Sequence, residues 1–91
     1  MEKHLTLLDV DLKSRTYEII GKVELNPDSI KDFSEYNTKV HMDLIEFEKF
    51  EKLAEQGRIY DGSLPTKITF SSGYTIIVAE HYAYVRAQIA N

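Results

Sequence analysis

The chain has 91 residues, of which 43% are hydrophobic and 29% charged, so its length suits one small domain and its composition argues against intrinsic disorder. Fifteen acidic residues against eleven basic ones give a net charge of −4, which argues against nucleic-acid binding because that function needs a basic surface. There is no cysteine, which excludes the disulfide-rich secreted class.

Two alternating segments at the start of the chain predict a β-hairpin. The first runs from His4 to Leu12, the second runs from Thr16 to Leu25, and a turn joins them. Leu5 and Leu7 are out of phase with the apolar residues that follow them. Either a β-bulge near Leu7 and Leu8, or a strand that is covered on both faces at its start, would accommodate this change of phase.

Asn26 and Pro27 stop the second strand. They predict a short helix from Pro27 to Phe33 with Asn26 as its N-cap. Ile30 and Phe33 are three residues apart, so on a helix both would point to the core. A loop is expected at residues 34–37 and a short strand at residues 38–42.

The segment from Asp43 to Gln56 is the strongest helix prediction in the chain. Asp43 suits an N-cap, and Gly57 follows the helix where a left-handed residue is favoured. At about 100° per residue the charged side chains share one face of the helix. The opposite face carries Phe47, Phe50, Leu53 and Ala54. We expect this apolar face to pack on the sheet.

A second hairpin is predicted after an exposed loop. The loop runs from Arg58 to Pro65 and contains Asp-Gly and Leu-Pro, which are typical turn sequences. Strands are predicted from Thr66 to Ser71 and from Tyr74 to Ala79, with a tight turn between them.

The last segment, from Glu80 to Asn91, fits two structures. As a strand it places small apolar side chains on one face, and two tyrosines and an arginine on the other. As a helix it forms an apolar stripe that includes Val85 and Ile89, and its alanines favour a helix. No Gly or Pro separates the segment from the preceding strand, so we favour a continuing strand.

Together these elements predict an α+β domain, a small antiparallel sheet of about five strands with one main helix (Asp43 to Gln56) packed on one face. Residues 1–91 would form a single globular domain. The apolar runs are too short to span a membrane, and the N-terminus leads into a patterned strand rather than a signal peptide. We therefore expect a cytoplasmic protein, in the host cytoplasm if a phage encodes it.

The sequence carries no motif that predicts an enzyme. Its three histidines, His4, His41 and His81, share no metal-ligand spacing. The serines lack the G-x-S-x-G elbow, and the glycine turns lack the lysine of a phosphate loop. We therefore predict a non-enzymatic protein without a metal or a cofactor.

The tyrosines are the side chains that most favour a binding function. There are six of them, and tyrosine joins a large apolar ring to a polar tip, which suits recognition surfaces. Tyr and Arg are also frequent in binding hot spots. The predicted partner-binding residues are Tyr82, Tyr84, Arg86 and Gln88 on one face of the C-terminal strand, and Arg58 and Tyr60 in the loop. The alternative is that these rings cover an edge of the core.

We therefore expect a protein-binding module whose partner is another protein or a second copy of the chain, with no nucleic acid and no membrane. The size and composition are similar to those of small acidic domains encoded by phages and other mobile elements. That similarity favours an inhibitor or regulator of a larger host protein. The alternatives are a homo-oligomeric structural or accessory protein, and a small-ligand-binding domain with a pocket between helix and sheet.

Overall fold

The described part of this computed structural model comprises residues 4–11, 13–14, 16–36, 50–60 and 62–90. Its strands are β1 His4–Asp11, β2 Thr16–Glu24, β3 Ile30–Glu35, β4 Thr66–Phe70 and β5 Thr75–Val78. Its α-helices are α1 Glu51–Glu55 and α2 Tyr82–Ala90, and a 3₁₀ turn spans Pro27–Ser29. The strands form one antiparallel sheet in the order β2-β1-β5-β4-β3. The predicted α+β fold with a five-stranded antiparallel sheet is confirmed.

The sheet is covered on both faces. On one face α2 packs over a core whose fully buried members are Leu5, Ile68, Val78 and Val85. On the other face the buried cluster consists of Leu8, Phe50, Ile59 and Ala79, and Leu53 and Ala54 of α1 pack against it. Two small cores therefore share one sheet.

The predicted helix from Asp43 to Gln56 is described only at its C-terminal end. Residues 51–55 are helical, Phe50 is buried as predicted, and Gly57 has the left-handed φ of 73° expected after a helix. Residues 43–49 lie outside the described residues, as does the strand predicted at residues 38–42.

The first hairpin is confirmed, and the structure explains the change of phase in β1. The register shifts between Leu7 and Leu8, because Leu7 pairs with Gly21 and Leu8 pairs with Ile19. The extra residue, Ile20, therefore lies in β2, and β1 itself alternates without interruption. Leu5 and Leu8 are both buried on opposite faces, so β1 is covered on both faces.

The predicted helix from Pro27 to Phe33 is wrong beyond its first turn, because residues 30–35 form β3 instead, including part of the loop expected at 34–37. Asn26 does cap the 3₁₀ turn, since its side chain accepts a hydrogen bond from the Asp28 N–H. Ile30 pairs with Phe70 and Asp32 with Thr69, which leaves an extra residue at position 31. A bulge of this kind puts residues three apart on one face, so the spacing that suggested a helix belongs to a bulged strand.

The second hairpin is confirmed. The Phe70 N–H donates to the Tyr74 carbonyl oxygen at 2.8 Å, and the Gly73 N–H donates back to the Phe70 carbonyl oxygen at 2.9 Å. Gly73 has a φ of 90°, a conformation that glycine adopts at little cost and other residues rarely adopt.

The preference for a strand from Glu80 to Asn91 is wrong, because residues 82–90 form α2. Strand β5 ends without Gly or Pro because the side chain of Glu80, rather than its backbone, makes the next hydrogen bond to β1. The Ala79 N–H still donates to the Thr6 carbonyl oxygen, but the Thr6 N–H donates to a carboxylate oxygen of Glu80 at 2.8 Å. The backbone is thus released from the ladder, and the helical stripe, with Val85 fully buried, faces the sheet.

Candidate functional site

Helix α2 separates the four C-terminal residues that a strand would have placed on one face. At about 100° per residue, Tyr82 and Arg86 lie on one side of the helix, and Tyr84 and Gln88 lie on nearly the opposite side. The Tyr82 ring stacks on Phe33, with ring centroids 5.1 Å apart. The shared face predicted for these four residues is therefore wrong, and contact of Arg86 and Gln88 with a partner stays a prediction.

A pocket of about 200 Å³ lies where α2 begins, and we call it the α2 pocket. It brings together two of the predicted residues, Tyr60 and Tyr82, which come from the loop and from α2. The full lining is Glu35, Tyr60, Leu64, His81, Tyr82 and Ala83. Three of these six side chains carry aromatic rings, and one is a carboxylate.

The described residues of the loop from Arg58 to Pro65 are largely buried, which corrects the prediction that the loop is exposed. Ile59 is 2% exposed and Ser63 7%. The loop closes on itself, because the Tyr60 N–H donates to the Ser63 hydroxyl at 3.1 Å and the Ser63 N–H donates to the Tyr60 carbonyl oxygen at 2.9 Å. Tyr60, which is 59% exposed, belongs to this closed loop and lines the pocket.

Arg58 is buried next to the pocket and is not one of its lining residues. It is 3% exposed, and its Nε donates to the Tyr84 hydroxyl at 2.9 Å while an Nη donates to the His4 carbonyl oxygen at 2.6 Å. Its guanidinium carbon lies 4.9 Å from the centroid of the Tyr84 ring, a cation–π contact. Arg58 and Tyr84 therefore fix the loop to β1 and α2.

His81 was not among the predicted binding residues, yet it holds the pocket together. Its Nδ1 accepts the Tyr84 N–H at 3.2 Å, which makes it the N-cap of α2. A backbone N–H can only donate, so Nε2 carries the ring proton and donates it to the Gly57 carbonyl oxygen at 2.9 Å. The imidazole is thus neutral in this geometry, and its centroid lies 5.1 Å from that of Tyr60. Only its position before the alanine-rich segment could have indicated this cap.

Glu80 anchors the start of α2 to the sheet. Its side chain is fully buried, and its second carboxylate oxygen accepts the Thr6 hydroxyl at 2.9 Å. Its carbonyl oxygen accepts the Thr66 hydroxyl at 2.8 Å. These bonds tie the β5–α2 junction to β1 and to β4. No pattern in the sequence distinguishes this buried glutamate from the exposed ones.

Across the ranges described above, no three His, Asp or Glu side chains are placed to hold a metal ion. His4 lies 3.8 Å from a carboxylate oxygen of Glu24, and His81 is the helix cap. His41 lies outside the described residues. None of the described helices is both long and apolar enough to cross a membrane.

Comparisons with protein-family models, with curated protein sequences and with solved structures found no match to this chain. The function must therefore be argued from the geometry of the site alone.

Proposed function

We propose that this chain is a non-enzymatic protein-binding module, acting as an inhibitor or regulator of a larger protein, with the α2 pocket as its contact surface. The observation that carries the proposal is the position of Tyr60. It is a large ring, 59% exposed, and the two residues that precede it, Arg58 and Ile59, are buried. Tyrosines held on rigid supports are characteristic of recognition surfaces.

The energetics favour a partner. A ring left in water adds little to folding, whereas burying about 100 Å² of it at an interface contributes roughly 2.5 kcal/mol before the costs of association. Those costs are lower where the contact residues are already ordered. Here the backbone of Tyr60 is held by the hydrogen bonds to Ser63 and its ring contacts His81, while the ring of Tyr82 stacks on Phe33.

A capture experiment tests the proposal. The wild-type chain, immobilised, is exposed to a lysate of the organism that encodes it, and captured proteins are quantified by mass spectrometry. The variant is Tyr60→Ser. The matched control is Tyr74→Ser, because Tyr74 is 68% exposed but lies at the β4–β5 turn, at the other end of the hairpin from the pocket.

We expect a protein that is retained by the wild type and by Tyr74→Ser but lost with Tyr60→Ser. Circular dichroism should show that both variants are folded. Equal retention by all three chains would overturn the assignment of the α2 pocket, and loss with Tyr74→Ser alone would move the contact surface to the β4–β5 turn.

A second candidate is a homo-oligomer that assembles through β2. Among the described strands β2 is at one end of the sheet order, and Ile19 and Ile20 on it are 53% and 55% exposed. Antiparallel pairing of two copies about Ile20 would set Glu18 of one copy opposite Lys22 of the other, and opposite charges stabilise such pairs. A mass measurement in solution separates this candidate from the first.

A further inference from the structure

We infer that the α2 pocket binds an arginine side chain of the partner protein. The inference rests on the proposed function and adds the chemistry of the group that the pocket recognises. It follows from two features of the lining: its aromatic rings and its single carboxylate.

The rings suit a cation. The aromatic rings that line the pocket belong to Tyr60, His81 and Tyr82. The rings of Tyr60 and His81 are in contact and are tilted by 59° relative to each other. The His81 ring is neutral in its bonded geometry, so it presents a π-system rather than a positive charge. Cations are attracted to the faces of such rings within about 6 Å of the centroid.

The charges in the pocket favour the same ligand. Glu35 supplies a full negative charge, and no Lys or Arg is among the described lining residues. The start of α2 opposes it with about half a positive charge, so the sum remains negative. Part of that helix charge is already engaged, because the His81 ring accepts the N–H of Tyr84. The net charge of −4 for the whole chain also attracts a basic partner.

A guanidinium fits these groups better than an ammonium. It is planar and can stack on a ring while two of its N–H groups reach one carboxylate. The protein already makes this kind of contact beside the pocket, where the Arg58 guanidinium lies over the Tyr84 ring and donates to its hydroxyl. Arg58 itself is committed to Tyr84 and to the His4 carbonyl oxygen, outside the pocket lining.

The test uses two small probes in a titration followed by amide chemical shifts. The first is Nα-acetyl-arginine methylamide, and the second is the citrulline equivalent, which has nearly the same shape without the charge. We expect the arginine probe to shift the amides of Tyr60, His81 and Tyr82 and to bind more tightly than the citrulline probe. Binding should weaken in about 1 M salt, where the screening length falls to about 3 Å.

Two protein variants measure how much the Glu35 carboxylate contributes to binding of the arginine probe. Glu35→Gln should weaken the arginine probe by roughly two- to fivefold, as for an exposed ion pair, and leave the citrulline probe unchanged. The control is Glu18→Gln, which changes the net charge equally but lies on β2, outside the pocket. Equal binding of the two probes, or an equal effect of the two variants, would overturn the inference.

The capture experiment separates failure of this inference from failure of the proposed function. If an arginine of the partner fills the pocket, the protein lost with Tyr60→Ser should also be reduced with Glu35→Gln and retained with Glu18→Gln. Loss with Tyr60→Ser alone, without binding of the arginine probe, would refute the arginine and leave the proposed function standing. Probe binding without any captured protein that depends on Tyr60 would point to a free guanidinium ligand and refute the partner side chain.

Discussion

Replacing Thr6 with valine tests how the start of α2 is held to the sheet. The Thr6 hydroxyl donates to a carboxylate oxygen of the fully buried Glu80 at 2.9 Å. Valine keeps the shape of threonine and removes the donor. Hydrogen bonds to charged groups contribute about 1.5–3 kcal/mol, so Thr6→Val should lower the free energy of unfolding by about 2 kcal/mol.

The assay is urea unfolding followed by circular dichroism. In a domain of this size a loss of about 2 kcal/mol also lowers the melting temperature by roughly 8–16 °C. Thr75→Val is the control, because Thr75 lies exposed on β5 and its change should stay within about 0.5 kcal/mol. In a Glu80→Gln background Thr6→Val breaks only a neutral hydrogen bond and should cost about 1 kcal/mol. An equal cost of Thr6→Val in both backgrounds would show that the charge of Glu80 does not strengthen this hydrogen bond.

The remaining predictions concern the helix cap and the state of association. His81→Ala should destabilise the fold by about 1–2 kcal/mol in the same unfolding assay, since it removes the cap of α2 and the bond to Gly57. His81→Asn can still accept the Tyr84 N–H and should recover about 1 kcal/mol of that loss, whereas equal losses would contradict the cap. Light scattering should give the monomer mass of 10.5 kDa. Twice that mass, restored to 10.5 kDa by Ile20→Lys, would favour assembly through β2 over the α2 pocket.

The fold could be predicted from the sequence where a period of two residues or of 3.6 residues marks an element. Alternation located β2 and the β4–β5 hairpin, and the helix pattern located the buried Phe50 and the end of α1 shortly before Gly57. Prediction failed at β3, because the bulge at position 31 gives a strand the three-residue spacing of a helix. Periodicity alone cannot separate these two cases, since both put Ile30 and Phe33 on one face.

The prediction for the C-terminal segment failed for a different reason. A strand usually ends at Gly or Pro, but here the Glu80 carboxylate replaces a backbone carbonyl as the acceptor for Thr6, which is 74 residues away in the sequence. A contact over that separation leaves no local signal. The same holds for the site. Tyr60 and Tyr82 could be selected from the sequence as aromatic residues, but their position beside Glu35 depends on α2, where a strand was predicted.

The polar groups at the β5–α2 junction are the strongest reason to place function at this end of the molecule. Arg58 and Glu80 are charged residues that are almost fully buried, and burying charge is costly enough that apolar replacements are often neutral or stabilising. A fold under selection for stability alone could do without them. What these residues and His81 achieve is a fixed position for Tyr60 and for the first turn of α2. Tyr74 is more exposed than Tyr60, but it stands on a simple hairpin turn. A costly support under an exposed ring favours the contact surface proposed at the α2 pocket over a merely solvated surface.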